Sequence, residues 1–246
     1  MNQNHIPVKE AEVQQKKQIR FAIILCSIVV VLIVATIIGT TITSRNFNEL
    51  AQPEFDRVDF GGISWFVLDE QDSKKLLISE YVLFPERYHE HFEHVTWATS
   101  TLRTYLNEDF YNRLNANDRT QILSVTNHTP DNPWFNTDGG EDTQDKIFLL
   151  SIEEMLQYFG DSGRIDNHRF GLRVINDEYN AMRHAGYADG VTFARPPLSW
   201  LRSPGRFQGH AAFIDKDSGN RGTINLYGED TNYYGGVRPA LWLITE

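Results

Sequence analysis

Three histidines close together in the sequence are of a type and spacing that can hold a metal ion. His89, His91 and His94 stand in the run His-Glu-His-Phe-Glu-His, and His91 and His94 would share one face of a helix. Imidazole nitrogens are common ligands of zinc and other transition metals. The alternative interpretation is a charged surface loop, in which three histidines need no metal.

An acidic loop over residues 138–145 offers oxygen ligands instead. Asp138, Asp142 and Asp145 lie in this loop together with two glycines, and carboxylate oxygens are the ligands that Ca²⁺ prefers. The spacing differs from that of a twelve-residue EF-hand loop. The alternative is a solvated turn whose side chains accept hydrogen bonds from backbone N–H groups. Calcium is the one cofactor that the sequence predicts.

Four further residues are candidates for binding a ligand. Arg202 and Arg238 stand in apolar or tight segments, where a guanidinium group can clamp an anion with two hydrogen bonds. The alternative is that each pairs with a buried carboxylate or carbonyl and stabilises the fold. Tyr233 and Tyr234 stand in a glycine-flanked turn and are predicted to be exposed recognition residues.

The composition excludes several classes of protein. The chain of 246 residues has a net charge of −10, which argues against a nucleic-acid partner. Its single cysteine, Cys26, excludes an intrachain disulfide framework and cysteine-rich zinc or iron–sulfur sites. The sequence has no nucleophile elbow, no phosphate-binding loop and no His-Glu-x-x-His motif. An enzymatic activity is therefore less expected than a binding role.

Residues 21–43 predict a transmembrane helix. They carry no charged side chain, and about 20 apolar residues suffice to cross a bilayer. Lys9, Lys16, Lys17 and Arg20 precede the segment, so the positive-inside rule places the N-terminus in the cytoplasm. A cleaved signal peptide is the alternative, although its apolar region would be shorter. Residues 1–45 carry a net charge of +3. Because the whole chain carries −10, the remaining residues carry −13.

The rest of the chain is predicted to form one α+β domain of short helices and antiparallel hairpins. Strand-like runs at 63–68 and 75–79 predict a hairpin, and helical spacing of apolar residues predicts a helix over 99–114. Ser151 and Glu154 have the spacing of a capping box. The remaining predicted elements are helices at 118–125, 151–159 and 177–184 and strands at 147–150, 211–214, 223–227 and 237–244.

Six short motifs occur in a characteristic order along this domain. They are Val95-Thr96-Trp97, Thr101-Leu102-Arg103, Asp131-Asn132-Pro133-Trp134, Asp145-Lys146-Ile147-Phe148-Leu149-Leu150-Ser151, Trp200-Leu201-Arg202-Ser203-Pro204-Gly205 and Gly236-Val237-Arg238-Pro239-Ala240-Leu241-Trp242. Together they resemble a bacterial domain of unknown function, the 6273 family common in Firmicutes. The resemblance covers about residues 58–243 and implies no activity.

The stretch from Trp200 to Leu243 also resembles, more distantly, the C-terminal part of formylglycine-generating-enzyme-like domains. This resemblance implies a C-type-lectin-like fold. Those oxidases act through a copper-binding cysteine pair, and residues 44–246 contain no cysteine, so their chemistry is not implied here.

The sequence thus predicts a single-pass cell-membrane protein of a Gram-positive bacterium. Its parts would be a cytoplasmic tail at 1–20, the transmembrane helix at 21–43, a linker at 44–57 and an extracellular domain at 58–246. The domain is predicted to be a binding or interaction module for a glycan, a cell-wall component or a protein. The alternatives are a metal-assisted extracellular enzyme using His89, His91 and His94, or a structural subunit of an envelope complex.

Overall fold

The computed structural model describes residues 55–163, 165, 174–191, 197–216 and 221–245. The chain divides into two units, Met1–Gln52 and Pro53–Glu246, and the first of these lies outside the described residues. The following description therefore concerns the second unit alone.

Strands dominate the described part of the chain and form three sheets. Their order is β1-β2-β3-β12 in a four-stranded sheet, β4-β11-β8-β9-β10-β7 in a six-stranded sheet, and β5-β6 in a small pair. Strands β8 and β11 pair in parallel, and the other pairings are antiparallel. The strand bounds are β1 Arg57–Phe60, β2 Ile63–Gln71, β3 Lys74–Ser79, β4 Phe84–Arg87, β5 Val125–Asn127, β6 Thr143–Asp145, β7 Val174–Ile175, β8 Leu198–Pro204, β9 His210–Asp215, β10 Ile224–Asp230, β11 Tyr234–Val237 and β12 Ala240–Ile244.

The helices are short, and serine side chains cap the start of two of them. The Ser100 side chain accepts a hydrogen bond from the Arg103 N–H at the first helix. Ser151 and Glu154 form the predicted capping box. The helix bounds are α1 Thr101–Tyr105, a π-helical turn Leu106–Phe110, α2 Tyr111–Arg113, α3 Ala116–Gln121, α4 Ile152–Phe159 and α5 Asn180–Arg183.

The predicted hairpin at 63–79 is confirmed as β2 and β3, whereas the predicted strand at 237–244 is confirmed only over Ala240–Ile244. Val237 ends β11 in the six-stranded sheet, and Ala240 begins β12 in the four-stranded sheet. The corner between them is Arg238-Pro239. Because proline has no N–H group, the corner cannot continue a ladder, and the chain passes from one sheet to the other.

The apolar run at 147–150 is buried but is not the predicted strand. Only Phe148 makes an isolated bridge, to Ala240. Side chains satisfy two of the other carbonyl groups: Asn107 donates to the Ile147 carbonyl at 2.8 Å, and Arg202 donates to the Leu149 carbonyl at 2.8 Å. These donors replace the ladder partners that a strand would need.

The predicted α+β fold class is corrected to a mainly β fold. Three of the strands that the sequence did not predict, β4, β5 and β6, read Phe-Pro-Glu-Arg, Val-Thr-Asn and Thr-Gln-Asp, which are too short and too polar to show alternation. Tertiary pairing forms these strands, because each lies beside a partner that supplies the hydrogen bonds.

The predicted fold class also included an N-terminal transmembrane helix, and this is corrected as well. In the described ranges no helix is long and apolar enough to cross a membrane. The continuous helical stretch from Thr101 to Arg113 is shorter than the roughly 20 residues that a bilayer requires. The predicted tail, the predicted span at 21–43 and the linker up to residue 54 lie outside the described residues.

Candidate functional site

An open groove of about 370 Å³ lies beside β4 and α1 and combines charged with aromatic side chains. Tyr234, at the start of β11, forms one side of the groove, and Tyr105 of α1 contributes a second ring. The volume falls in the range of about 300–1,000 Å³ that small-molecule sites occupy. The lining residues are Glu86, Arg87, Glu90, Thr101, Leu102, Tyr105 and Tyr234.

The pairing of β4 with β11 positions Tyr234 in this groove. Arg87 and Tyr234 are directly opposite in the antiparallel register, and the Arg87 guanidinium carbon lies 4.8 Å from the Tyr234 ring centroid. This cation–π contact holds the ring against the strand. A Cβ atom at Gly235 would lie 2.3 Å from Trp200 Nε1, so only glycine lets β11 run this close to the indole. Trp200 in turn donates to the Glu86 carbonyl at 3.0 Å.

The polar groups of the groove form hydrogen bonds with one another. The Arg87 N–H donates to the neighbouring Glu86 carboxylate at 2.9 Å, and Arg87 Nη1 donates to the Glu90 carbonyl at 3.4 Å. Within the described part of the chain, Arg87 Nε is buried without a partner. Burial raises the pKa of Tyr105, so its hydroxyl stays protonated at neutral pH.

Both turn tyrosines are exposed, but they differ in their relation to the groove. Tyr233 is 46% exposed and Tyr234 is 40% exposed. Tyr234 lines the groove, whereas Tyr233 does not. The two predicted recognition residues therefore differ in place, since Tyr234 begins β11 and Tyr233 belongs to the preceding turn.

Arg202, a predicted anion clamp, uses both of its terminal nitrogens within the protein. Its Nη1 and Nη2 atoms pair with the two carboxylate oxygens of Glu154, the Nη2–Oε1 distance being 2.9 Å. The same two nitrogens donate to the carbonyl groups of Leu149 and His128. This forked pair ties β8 to the capping box of α4. The geometry favours the structural alternative for Arg202.

Arg238, the second predicted clamp, lies at the corner between the sheets and is only 6% exposed. Its Nε donates to the Ser79 carbonyl at 2.9 Å, and its Nη1 donates to the Arg183 carbonyl at 3.4 Å. Burial lowers the pKa of Arg238 to about 10, and Glu80 opposes that shift. Among the described residues no carboxylate forms a salt bridge with Arg238.

The three aspartates of the predicted calcium loop lie in different surroundings. Asp145 is buried, pairs with Arg103 at 2.6 Å and accepts bonds from Trp97 at 2.9 Å, Asn127 at 3.0 Å and Thr143 at 2.6 Å. Its four contacts use the acceptor capacity that a metal ion would need.

The other two aspartates of this loop are exposed. Asp142 contacts His128 at 2.7 Å, and Asp138 accepts a bond from the Gly140 N–H at 2.9 Å. These are contacts typical of a solvated turn. The calcium site stays a prediction that this geometry does not favour.

The histidine run forms a loop, and its first member is held on both ring nitrogens. His89 Nε2 contacts the Glu93 carboxylate at 2.8 Å, and His89 Nδ1 accepts from the Thr101 N–H at 3.2 Å. The ring thus caps the start of α1, while His91 and His94 are exposed. Across the described ranges, no group of three His, Cys, Asp or Glu side chains is placed to hold a metal ion.

The sequence indicated Tyr234 but not its partners in the groove. Glu86, Arg87 and Glu90 lie about 145 positions away in the chain and meet Tyr234 only through the pairing of β4 with β11. A four-residue strand containing a proline carries no pattern from which that pairing could be inferred.

Comparisons with known proteins give one match. No curated protein and no solved structure is similar enough to match the chain. The likeness to formylglycine-generating-enzyme-like and C-type-lectin-like folds therefore stays a prediction. A family model described as "Domain of unknown function (DUF6273)" matches residues 72–245, which is most of the chain. The chain belongs to this family.

Proposed function

We propose that this protein is a binding module that takes a glycan in the groove beside β4. The single observation that carries the proposal is the combination of Tyr234 and Tyr105 rings with the Glu86 and Glu90 carboxylates around a space of about 370 Å³. Aromatic rings stack on the apolar C–H faces of sugars, and carboxylates accept hydrogen bonds from sugar hydroxyls.

The charge of the groove supports a neutral polyhydroxylated ligand, such as a cell-wall glycan, over an anionic one. Two carboxylates face one guanidinium group, and that guanidinium is already stacked on Tyr234. An anion would meet net negative charge there. The predicted lectin-like character of residues 200–243 is in agreement with a glycan ligand.

Binding of soluble fragments of bacterial cell-wall glycan to the full chain tests the proposal. Tyr234→Ala is expected to weaken the affinity by about tenfold, because an aromatic anchor at a binding site commonly contributes 1–2 kcal/mol or more. Tyr233→Ala is the matched control, since Tyr233 is equally exposed and adjacent but does not line the groove. Equal affinities of both variants, or the absence of binding by the unaltered chain, would contradict the proposal.

A further inference from the structure

Ring-bearing side chains from separate segments converge on one surface next to the histidine loop, residues 88–94. Phe92 belongs to that loop, Phe207 to the turn between β8 and β9, and Phe135 to the loop between β5 and β6. Tyr227 of β10 and His210, the first residue of β9, lie among them. We call this the aromatic surface, and its members are Phe92, Phe135, Arg206, Phe207, His210 and Tyr227.

The rings of the aromatic surface form a continuous row. Measured between ring centroids, His210 lies 6.1 Å from Phe92 and 6.0 Å from Tyr227. Phe135 continues the row 6.1 Å beyond Tyr227. Phe207 packs beside the row, 5.3 Å from His210 and 6.2 Å from Tyr227. Because these are the distances of packed ring pairs, the aromatic surface is one contiguous platform.

The backbone of β10 fixes this platform. The register between β9 and β10 shifts between Asn225 and Glu229, and such a bulge re-aims the side chains it carries. The Asn225 side chain accepts hydrogen bonds from the N–H groups of Tyr227 at 3.1 Å and of Gly228 at 3.2 Å. The Arg206 N–H donates to the Tyr227 carbonyl at 2.7 Å. A platform held in this way loses little conformational freedom when a ligand binds.

The platform is open to solvent and carries hydrogen-bond donors. At 58% and 50% exposure, Phe92 and Phe207 are the two most exposed large hydrophobic side chains among the described residues. The Arg206 guanidinium carbon lies 5.0 Å from the Phe207 ring centroid and 5.2 Å from that of Tyr227. Arg206 is exposed and, across the described ranges, forms no salt bridge. The same ligand can therefore gain apolar contact from the rings and hydrogen bonds from the guanidinium group.

The aromatic surface adjoins the groove of the proposed function. Glu90 lines the groove and Phe92 belongs to the aromatic surface, and two residues along one loop separate their Cα atoms by no more than about 7 Å. The His89 N–H donates to the Thr231 carbonyl at 2.9 Å, and the Thr231 N–H donates to the Gly209 carbonyl at 2.9 Å. These bonds tie the histidine loop to the turn before β11 and to the turn before β9. The groove and the aromatic surface thus meet at the histidine loop.

We infer that the ligand is a linear glycan of several sugar units, which occupies the groove and continues over the aromatic surface. This inference rests on the proposed function and adds a second part to the same site. A row of rings about 6 Å apart can stack on the C–H faces of successive sugar units. Arg206 would donate hydrogen bonds to oxygen atoms of the same chain. Continuity with the groove, rather than exposure alone, selects a glycan as the occupant.

Calorimetric titration of the full chain with soluble cell-wall glycan fragments of two and of six sugar units tests the inference. The six-unit fragment is expected to bind at least about tenfold more tightly, because only the longer fragment can leave the groove and reach the exposed rings. Equal affinities for the two fragments would overturn the inference and leave the proposed function standing. Binding of neither fragment would overturn both.

Two variants assign the added affinity to the aromatic surface. Phe207→Ala is expected to weaken binding of the six-unit fragment about tenfold and to leave the two-unit fragment unaffected. Tyr81→Ala is the matched control, since Tyr81 is 41% exposed and belongs neither to the groove nor to the aromatic surface. Equal effects of the two substitutions, or an equal loss for both fragments in Phe207→Ala, would overturn the inference.

A third variant and one further measurement complete the test. If Phe207→Ala does not fold, Phe92→Ala, at the most exposed ring of the surface, must produce the same selective loss. Sedimentation of the unaltered chain without glycan examines a second copy of the chain as the occupant. A dimer that either substitution dissociates, together with equal affinities for the two fragments, would assign the aromatic surface to self-association and overturn the inference.

Discussion

Arg202 and Arg238 stand in comparable motifs and are almost equally buried, at 2% and 6% exposure, yet their surroundings differ. Arg202 donates hydrogen bonds to both carboxylate oxygens of Glu154. Arg238 donates to two carbonyl groups and lies near Lys216 and His184. One guanidinium group is neutralised inside the protein, and the other adds to a local excess of positive charge.

The difference separates a cation that is neutralised in place from one that is not. A buried cation with a forked carboxylate partner links elements of the fold. A buried cation whose hydrogen bonds go to carbonyl groups keeps more of its charge and disfavours further positive charge beside it. Two arginines that look alike in sequence thus receive opposite roles from their neighbours.

The largest expected effect comes from removing the carboxylate that pairs with Arg202. Glu154→Ala is expected to lower the free energy of unfolding by about 3–5 kcal/mol, because Arg202 would remain buried without its partner. The measurement is equilibrium unfolding in urea, followed by tryptophan fluorescence.

Glu153→Ala is the control for this substitution. Glu153 is the adjacent residue on the same turn of α4 and is exposed, so its loss is expected to change stability by less than about 0.5 kcal/mol. Equal losses in the two variants would show that Glu154 acts through the helix terminus rather than through Arg202.

The elements that local rules govern were the predictable part of this fold. Ser151 and Glu154 revealed the start of α4 because a capping box needs only four consecutive residues. The β2–β3 hairpin was equally accessible, since its strands are adjacent in the chain and joined by a short turn. In both cases the partners that satisfy the backbone lie within a few residues.

Contacts between residues that are distant in the chain determine the features that the sequence did not predict. The Arg238-Pro239 corner reads as part of a continuous apolar strand, and only the two sheets reveal that the chain changes partner there. Asp145 looks like a member of an acidic loop until Arg103 and Trp97 are seen to surround it. That no described carboxylate forms a salt bridge with Arg238 likewise has no signature in the sequence.

A smaller effect is expected around Arg238, in the dependence of stability on pH. The folded pKa of His184 is about 4, below its usual 6.5, so between these values the unfolded chain binds a proton that the folded chain does not. Stability from neutral His184 is therefore complete above pH 6.5 and falls as the pH approaches 4. Because water screens this partly buried ring, we expect a loss of about 1–2 kcal/mol.

Urea unfolding of the unaltered chain and of His184→Gln at pH 7 and pH 4.5, both in chloride buffer, measures this contribution. Carboxylates that titrate in the same window affect both proteins alike, so the difference between them isolates His184. A pH dependence of the same steepness in both proteins would mean that His184 does not face the other cations.

The central claim, that burial and nearby cations act together on His184, is tested most directly by an NMR titration of this ring in the full chain. The expected pKa of His184 is about 4, because burial and the charges of Lys216, Arg221 and Arg238 disfavour the imidazolium ion. A pKa near the usual 6.5 would contradict the account.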